Sequence, residues 1–176
     1  MATMPLIEAT EEMVAELGES LAGEAKFDWL TRQIYSTDAS MYRVVPAGVV
    51  FPKDGDDVAA AVEIAGRYDV PVVPRGGGTS ISGQTIGNGL VIDYSRHINR
   101  IIELNPQEQW VHVEAGANLE WLNARLRAHD LIVGPDPASA KGNTLGGMTA
   151  NNSTGTHSIV YGMMGDQVHE LFKLIS

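Results

Sequence analysis

The sequence predicts an α+β fold built as two adjoining blocks, and three observations lead there. A strand–helix–strand pattern with short joins runs over residues 46–74. A second block, from Arg100 onward, sets two neighbouring strand-like runs before a helix. Each block delivers a segment dense in glycine, residues 75–80 in the first and 134–162 in the second.

The elements follow in order. Residues 6–21 read as an amphipathic helix, with Met13, Val14, Leu17 and Leu21 on one side and glutamates on the other. Residues 23–43 are mixed and predict no element. Val49, Val50 and Phe51 form an apolar run before Pro52, a strand. Asp54 and the acids after it offer a helix cap and a favourable first turn, and Val58, Ala61, Val62 and Ala65 continue at helical spacing. Residues 71–74 read as a second buried strand and residues 90–93 as a third. In the second block, residues 100–104 and 110–113 pair through a turn at Asn105, Pro106 and Gln107. Asn118 caps a helix reaching about His129, with Leu119, Leu122 and Leu126 on one face. Residues 131–133 are short and apolar. Residues 171–175 read as a strand in which the sequence ends. The expected division is a helical segment over 1–45, a βαβ unit over 46–99 and a second α+β unit over 100–176.

Composition narrows the chemistry. With 44% hydrophobic and 19% charged residues in 176, the chain is globular in character and long enough for a sizeable core. A net charge of -10 argues against nucleic acid as a partner. Without cysteine there is no disulfide, thiolate metal site or Cys nucleophile in the chain. The first residues lack the basic start and apolar run of a signal peptide. No apolar stretch reaches the ~18 residues that span a bilayer. A cytoplasmic location is the default expectation.

The glycine segments carry the functional signal. Arg75, Gly76, Gly77, Gly78, Thr79 and Ser80 follow a strand directly, and Ser82, Gly83 and Gln84 come next. Three glycines allow close approach of a ligand, and successive N–H groups in such a turn converge on an anion. The alternative is a tight turn that needs glycine for geometry alone. The loop lacks the Lys of a P-loop, and Ile81 stands where the dinucleotide fingerprint needs its third glycine. The second segment holds Pro135 and Asp136 in a rigid Pro-rich turn, then Ser139. Thr144 caps a short helix that opens with Gly146 and Gly147, and small residues there expose N–H groups to an anion. Asn151, Ser153, Gly155 and His157 follow.

These motifs carry a resemblance. The run Tyr35-Ser36-Thr37-Asp38-Ala39-Ser40, the loop at 75–84, Gly89 to His97, Gly134 to Ser139 and Gly146 to Ser153 match in order. Together they resemble the N-terminal FAD-binding region of the vanillyl-alcohol oxidase/p-cresol methylhydroxylase (PCMH) superfamily. Within it they are most similar to the D-lactate dehydrogenase and glycolate oxidase group of FAD-linked oxidases. The resemblance implies a PCMH-type fold of two α+β subdomains with FAD between them, cut before its end. It implies pyrophosphate binding by Arg75 to Ser80 and Ser82 to Gln84. It places Pro135, Ser139, Thr144, Gly146, Gly147 and Asn151 on the facing wall, with Asp136, Ser153, Gly155 and His157 near the flavin. Some members of the superfamily attach flavin covalently through a His at the position of Thr79, so the expected FAD is non-covalent.

The implied reaction is oxidation of a 2-hydroxy acid such as D-lactate, glycolate or D-2-hydroxyglutarate. The cap that carries the family's catalytic and metal-ligating histidines lies beyond this sequence, so no catalytic residue and no metal ligand is expected here. A second expectation is a non-catalytic domain that folds without flavin and self-associates through an unpaired sheet edge. A third keeps the fold and changes the chemistry, as in enolpyruvyl-nucleotide reductases or flavin subunits of molybdenum hydroxylases. Among single residues, Arg75 is expected either to neutralise phosphate or to pair with a carboxylate. Asp136 is expected either near flavin or stabilising its turn, and His157 in structure or flavin contact rather than proton transfer. His97, His112, His129 and His169 read as surface or packing residues, as do Trp110 and Trp121 at hydrophobic positions.

Overall fold

The computed structural model describes residues 7–171. Helix α1 (Glu11–Ser20) starts where Thr10 Oγ1 accepts the Met13 N–H at 3.2 Å. It therefore begins later than its apolar pattern suggests, because the cap fixes the start; Leu6 lies outside the described residues. Met13 and Leu17 are fully buried. Strand β1 (Glu24–Lys26) and helix α2 (Trp29–Ile34) follow, in the segment where the sequence predicts nothing. Helix α2 buries none of its residues, so it carries no apolar stripe to read.

Strand β2 (Gly48–Phe51), helix α3 (Gly55–Arg67), strand β3 (Val72–Arg75) and strand β4 (Leu90–Asp93) form the expected βαβ unit. The sheet order is β1-β2-β4-β3, with β4 parallel to both neighbours and β1 antiparallel to β2. Strands β2 and β4 are buried along their whole length. Strand β3 is not the buried strand the sequence predicts. It is half-exposed at the sheet edge, where Pro74, which has no N–H to give, is tolerated.

Two acids at the start of α3 do different work. Asp54 Oδ1 caps the helix, accepting from Asp56 and Asp57 N–H at 3.0 Å each. Asp57 is buried and accepts three backbone N–H groups instead, from Ala22, Gly23 and Lys53 at 2.8–2.9 Å. It pins the α1–β1 connection to the end of β2. The main core packs Met13 and Leu17 of α1 and Ala61, Ile64 and Ala65 of α3 against Val50, Leu90 and Ile92. On the other face of the sheet, Val49, Phe51 and Val91 pack with Tyr35.

The second block opens with the antiparallel pair β5 (Ile101–Asn105) and β6 (Trp110–Val113). Helix α4 (Leu119–Leu126) is capped by Asn118 Oδ1 and runs into a 3₁₀ turn at Arg127–His129. Leu119, Leu122 and Leu126 form a second core with Leu145, Met148 and Met164. Trp121 is on the opposite side of α4 and 43% exposed, so it is not the packing residue its position suggests. Residues 134–162 contain the short helices α5 (Leu145–Ala150) and α6 (Ser158–Tyr161). The strand predicted at 171–175 lies, beyond Leu171, outside the described residues. Among the described residues, no helix is long and apolar enough to cross a membrane.

Candidate functional site

The glycine loop leaves β3 at the edge of the first sheet and runs into the start of the segment that leads to α5. The fit leaves no room for side chains. A Cβ at Gly76 would overlap Thr144 Oγ1, and one at Gly77 would overlap the Gly142 carbonyl. Gly78 has φ +65°, a left-handed conformation that a side chain strains. Thr79 Oγ1 donates to Asn143 Oδ1 at 2.8 Å, and Gln84 Nε2 donates to Asn151 Oδ1 at 2.9 Å. Ser80 Oγ in turn bonds Gln84 Oε1 and receives the Ser82 N–H at 3.2 Å. Loops more than sixty residues apart in sequence thus meet in one seam.

The backbone at this seam has donors to offer. Among the described residues, the N–H groups of Gly76, Gly77, Gly78, Thr79 and Ser80 find no intramolecular acceptor, nor does that of Gly147. Gly77 is exposed and the other five residues are half-buried, so these donors are open to a ligand from outside. In a chain of net charge -10, five successive donors in a loop whose glycines leave no room for a Cβ suit an anion. Thr144 stands at the N-cap of α5, but its hydroxyl makes no cap bond. It faces Gly76 instead, which corrects the cap expected of it.

A cleft of about 530 Å³ opens beside the seam, lined by Gly77, Ser95, Asn99, Asn118, Trp121 and Thr144 among others. The Asn118 amide braces it, donating to the carbonyls of Lys141 and Asn143 at 2.9 and 3.2 Å.

Asp136 and His157 form a separate knot. Asp136 accepts from His157 N–H and from Thr156 Oγ1 at 2.9 Å each, and its Oδ2 lies 2.5 Å from His157 Nδ1. Gly155 sits so close that a Cβ would overlap the Asp136 backbone. The backbone bond from His157 is the largest reason that the Asp136 carboxyl is held down at about 2, aided by the His157 and Thr156 side chains. Asp136 therefore ties two ends of a long loop together rather than stabilising its own turn. His157 is 63% exposed beyond this contact.

Among the described residues Arg75 forms no ion pair with a carboxylate. Its guanidinium donates to the Thr37 and Thr85 carbonyls and lies over the Tyr35 ring. The remaining expected residues make local contacts. Pro135 is buried, the Ser139 carbonyl accepts from Gly142 N–H at 2.9 Å, and Ser153 N–H bonds the Met148 carbonyl at 2.9 Å. Gly83 has φ +76° and packs against Tyr42. Gly146 lies against Ala115, where a Cβ would meet the Ala115 Cβ at 2.7 Å. Sequence reasoning missed Asn143, Gly142, Tyr35 and Asp93. The last two stand in quoted motifs, but only spatial contact gives them a role. Among the described residues, no group of His, Asp and Glu is placed to hold a metal ion.

Known proteins are similar to this chain in sequence and in fold. A family model described as an FAD binding domain matches residues 46–172. The chain is 40% identical over 156 residues to a D-2-hydroxyglutarate dehydrogenase of Pseudomonas putida, covering 87% of this chain and 16% of that one. It is 36% identical over 127 residues to a mitochondrial D-lactate dehydrogenase [cytochrome] of Kluyveromyces lactis, covering 70% of this chain and 22% of that one. With the glycolate oxidase subunit GlcD of Bacillus subtilis it shares 34% identity over 141 residues, covering 78% and 30%. The chain thus spans under a third of the length of each of these relatives. Among solved structures, alkyldihydroxyacetonephosphate synthase superposes with a TM-score of 0.81 at 26% identity, covering 93% of this chain and 33% of that one. A p-cresol methylhydroxylase structure superposes at 0.67 and 15% identity, covering 81% and 29%, which shows the PCMH-type fold.

Proposed function

The chain belongs to the FAD-binding domain family, and from that premise we propose that it is the flavin-holding portion of a larger oxidoreductase acting on a 2-hydroxy acid. FAD is its cofactor. The proposed substrate class is that of D-2-hydroxyglutarate, D-lactate or glycolate, supported by the names of the three enzymes above. The observation that carries the reading is the row of five N–H groups at 76–80 without an internal acceptor.

In this reading Gly76, Gly77, Gly78, Thr79 and Ser80 receive the pyrophosphate through backbone N–H groups, and Ser82, Gly83 and Gln84 close the loop. Gly146, Gly147 and Asn151 face it from α5, beside Thr144. The cleft at Trp121 and Asn118 takes the adenosine end, with the indole offering a stacking face. Pro135, Asp136, Ser139, Ser153, Gly155 and His157 frame the flavin side. The proposed binding is non-covalent, since Thr79 stands where some members of the superfamily carry the attaching His. When bound, the flavin supplies the acceptor for the hydride that leaves C2 of the hydroxy acid. The residues of this chain bind and orient it, and none is assigned the proton. The proposed division is 1–45, 46–99 and 100–176; the separate sheets β1-β2-β4-β3 and β5-β6 support a boundary near residue 100, while β1 from the first segment joins the sheet of the second.

Titrating the purified chain with FAD, followed by quenching of flavin fluorescence, tests this. Saturable micromolar or tighter binding that ADP displaces is the expected result. A well-folded chain that binds neither refutes it. A second reading is favoured by the two-stranded sheet β5–β6, whose outer edges are unpaired among the described residues. There the domain folds without flavin and self-associates through an edge. Light scattering decides: mass that rises with concentration supports it, and a constant monomer rejects it.

A further inference from the structure

Segment 35–40 takes no part in the proposed cradle, yet four of its residues hold the glycine loop. The Thr37 carbonyl accepts from Arg75 Nη1 at 2.9 Å. Ala39 N–H donates to the Gly78 carbonyl at 3.0 Å. Asp38 Oδ2 accepts from Thr85 Oγ1 at 3.0 Å, at the loop's exit. Tyr35 lies under the guanidinium, its ring centroid 5.0 Å from Arg75 Cζ.

Tyr35 is itself tethered. Its hydroxyl donates to Asp93 Oδ2 at 2.5 Å. Asp93 is buried at the end of β4, and its other oxygen accepts from Ser95 N–H and Oγ at 2.7 Å each. Burial raises the Tyr35 phenol above its ordinary value and the bond to Asp93 adds to this, so the hydroxyl stays a donor. From that base Arg75 Nη1 reaches the Thr85 carbonyl at 3.3 Å, while Nη2 packs against Gly78, where a Cβ would lie 2.6 Å away. One guanidinium thus bridges segment 35–40, the crown of the loop and its exit. Its Nη1 donors are taken up by two carbonyls, and Nη2 lies beside the loop's own Gly78.

We propose that segment 35–40, Arg75 and Asp93 form a clamp that sets the glycine loop's conformation before any ligand arrives, with Arg75 as a positioning residue that acts through shape rather than charge. A lysine ammonium has donors enough for the two carbonyls that Nη1 bonds, but no planar group to lie over the Tyr35 ring and fill the space beside Gly78 at the same time. The effect on affinity rests on the FAD reading above; the effect on loop order does not.

The test compares Arg75→Lys, Arg75→Met and Tyr35→Phe in the ligand-free chain and in FAD titrations. In the free chain, NMR hydrogen exchange is followed at the Ala39 and Gln84 amides, which bond to Gly78 and Ser80. The buried Val91 of β4 serves as the folding control. Both Arg75 variants are expected to lose protection at Ala39 with Val91 unchanged, and to bind FAD about tenfold more weakly, alike for Lys and Met. Tyr35→Phe, which removes one oxygen, shows the same pattern to a smaller degree. The slope of affinity against salt stays that of the wild type. If Arg75→Lys keeps wild-type affinity and protection while Arg75→Met loses both, or if the salt slope falls in Arg75→Met, charge is what matters and the clamp is refuted. Should the Arg75 variants lose protection at Val91 too, Tyr35→Phe decides, and wild-type exchange at Ala39 in that variant overturns the tether. A wild-type chain that fails to bind FAD refutes the functional reading alone, since the exchange comparison still judges the clamp.

Discussion

Replacing Gly77 by alanine asks whether the two loops meet backbone to backbone. A Cβ at this position overlaps the Gly142 carbonyl, which is backbone and cannot rotate away. One of the two segments must move, and it carries with it either the free N–H groups of 76–80 or the start of α5. Overpacking of this kind costs about 1–3 kcal/mol. In a domain of this size that is roughly 2–4 °C of melting temperature per kcal/mol. If the strain falls on the bound loop it also weakens FAD by about five- to 150-fold. Gly76→Ala provides the contrast. Its Cβ meets a side chain, Thr144, so the double variant Gly76→Ala/Thr144→Ala is expected to recover most of the loss, while no side-chain change rescues Gly77→Ala. Gly66→Ala in α3, with nothing within 4 Å, is the control and stabilises by roughly 0.5–1 kcal/mol. Thermal melts and FAD titrations of the four variants read these effects. A Gly77→Ala chain with wild-type melting and affinity would refute the close approach and the backbone cradle that depends on it.

Contacts elsewhere in the molecule give three more expected outcomes. Asp136 is held down to about 2, so the stability it gives is fully present above the ordinary carboxylate range and is lost as pH falls through that range toward 2; Asp136→Asn removes this contribution, and acid titration followed by exchange at the His157 amide should show a steep loss in the wild type that the variant lacks. Asp57→Ala strands three N–H groups around a buried site and is expected to cost about 3 kcal/mol or more by urea denaturation, an effect of under 1 kcal/mol arguing against the anchor. Leu122→Ala opens a cavity in the second core and should cost about 2–5 kcal/mol, with FAD affinity falling only as far as the α5 wall loosens, which a denaturant series beside the titration separates.

Much of the fold is legible in the chain because local rules and burial agree there. The cap at Asp54 and the apolar spacing after it mark α3, and the run Leu90–Asp93 is apolar until its last residue because β4 is covered on both faces. Asn118 and three leucines likewise mark α4. Where the rules disagree, the sequence misleads. The apolar residues 71–74 look buried, but only the sheet order puts β3 at an edge. Strand β1 is three residues long and gains its partner from a strand more than twenty residues on, so no local pattern announces it. Trp121 is apolar in kind but faces a cleft.

The site divides the same way. By itself the sequence determined that two glycine-rich loops follow strand-like segments, and so that an anion bound there would be met by backbone rather than by lysine, because glycine's freedom is a property of the residue alone. Tertiary structure decided what each side chain near those loops does. Arg75 bonds the Thr37 carbonyl, the Thr144 hydroxyl makes no cap bond, Asp136 links to His157 across the loop, and Tyr35 and Asp93 acquired a task. A donor's partner depends on which acceptor lies within about 3 Å, and that distance is set by parts of the chain up to 67 residues away, beyond the reach of any local pattern.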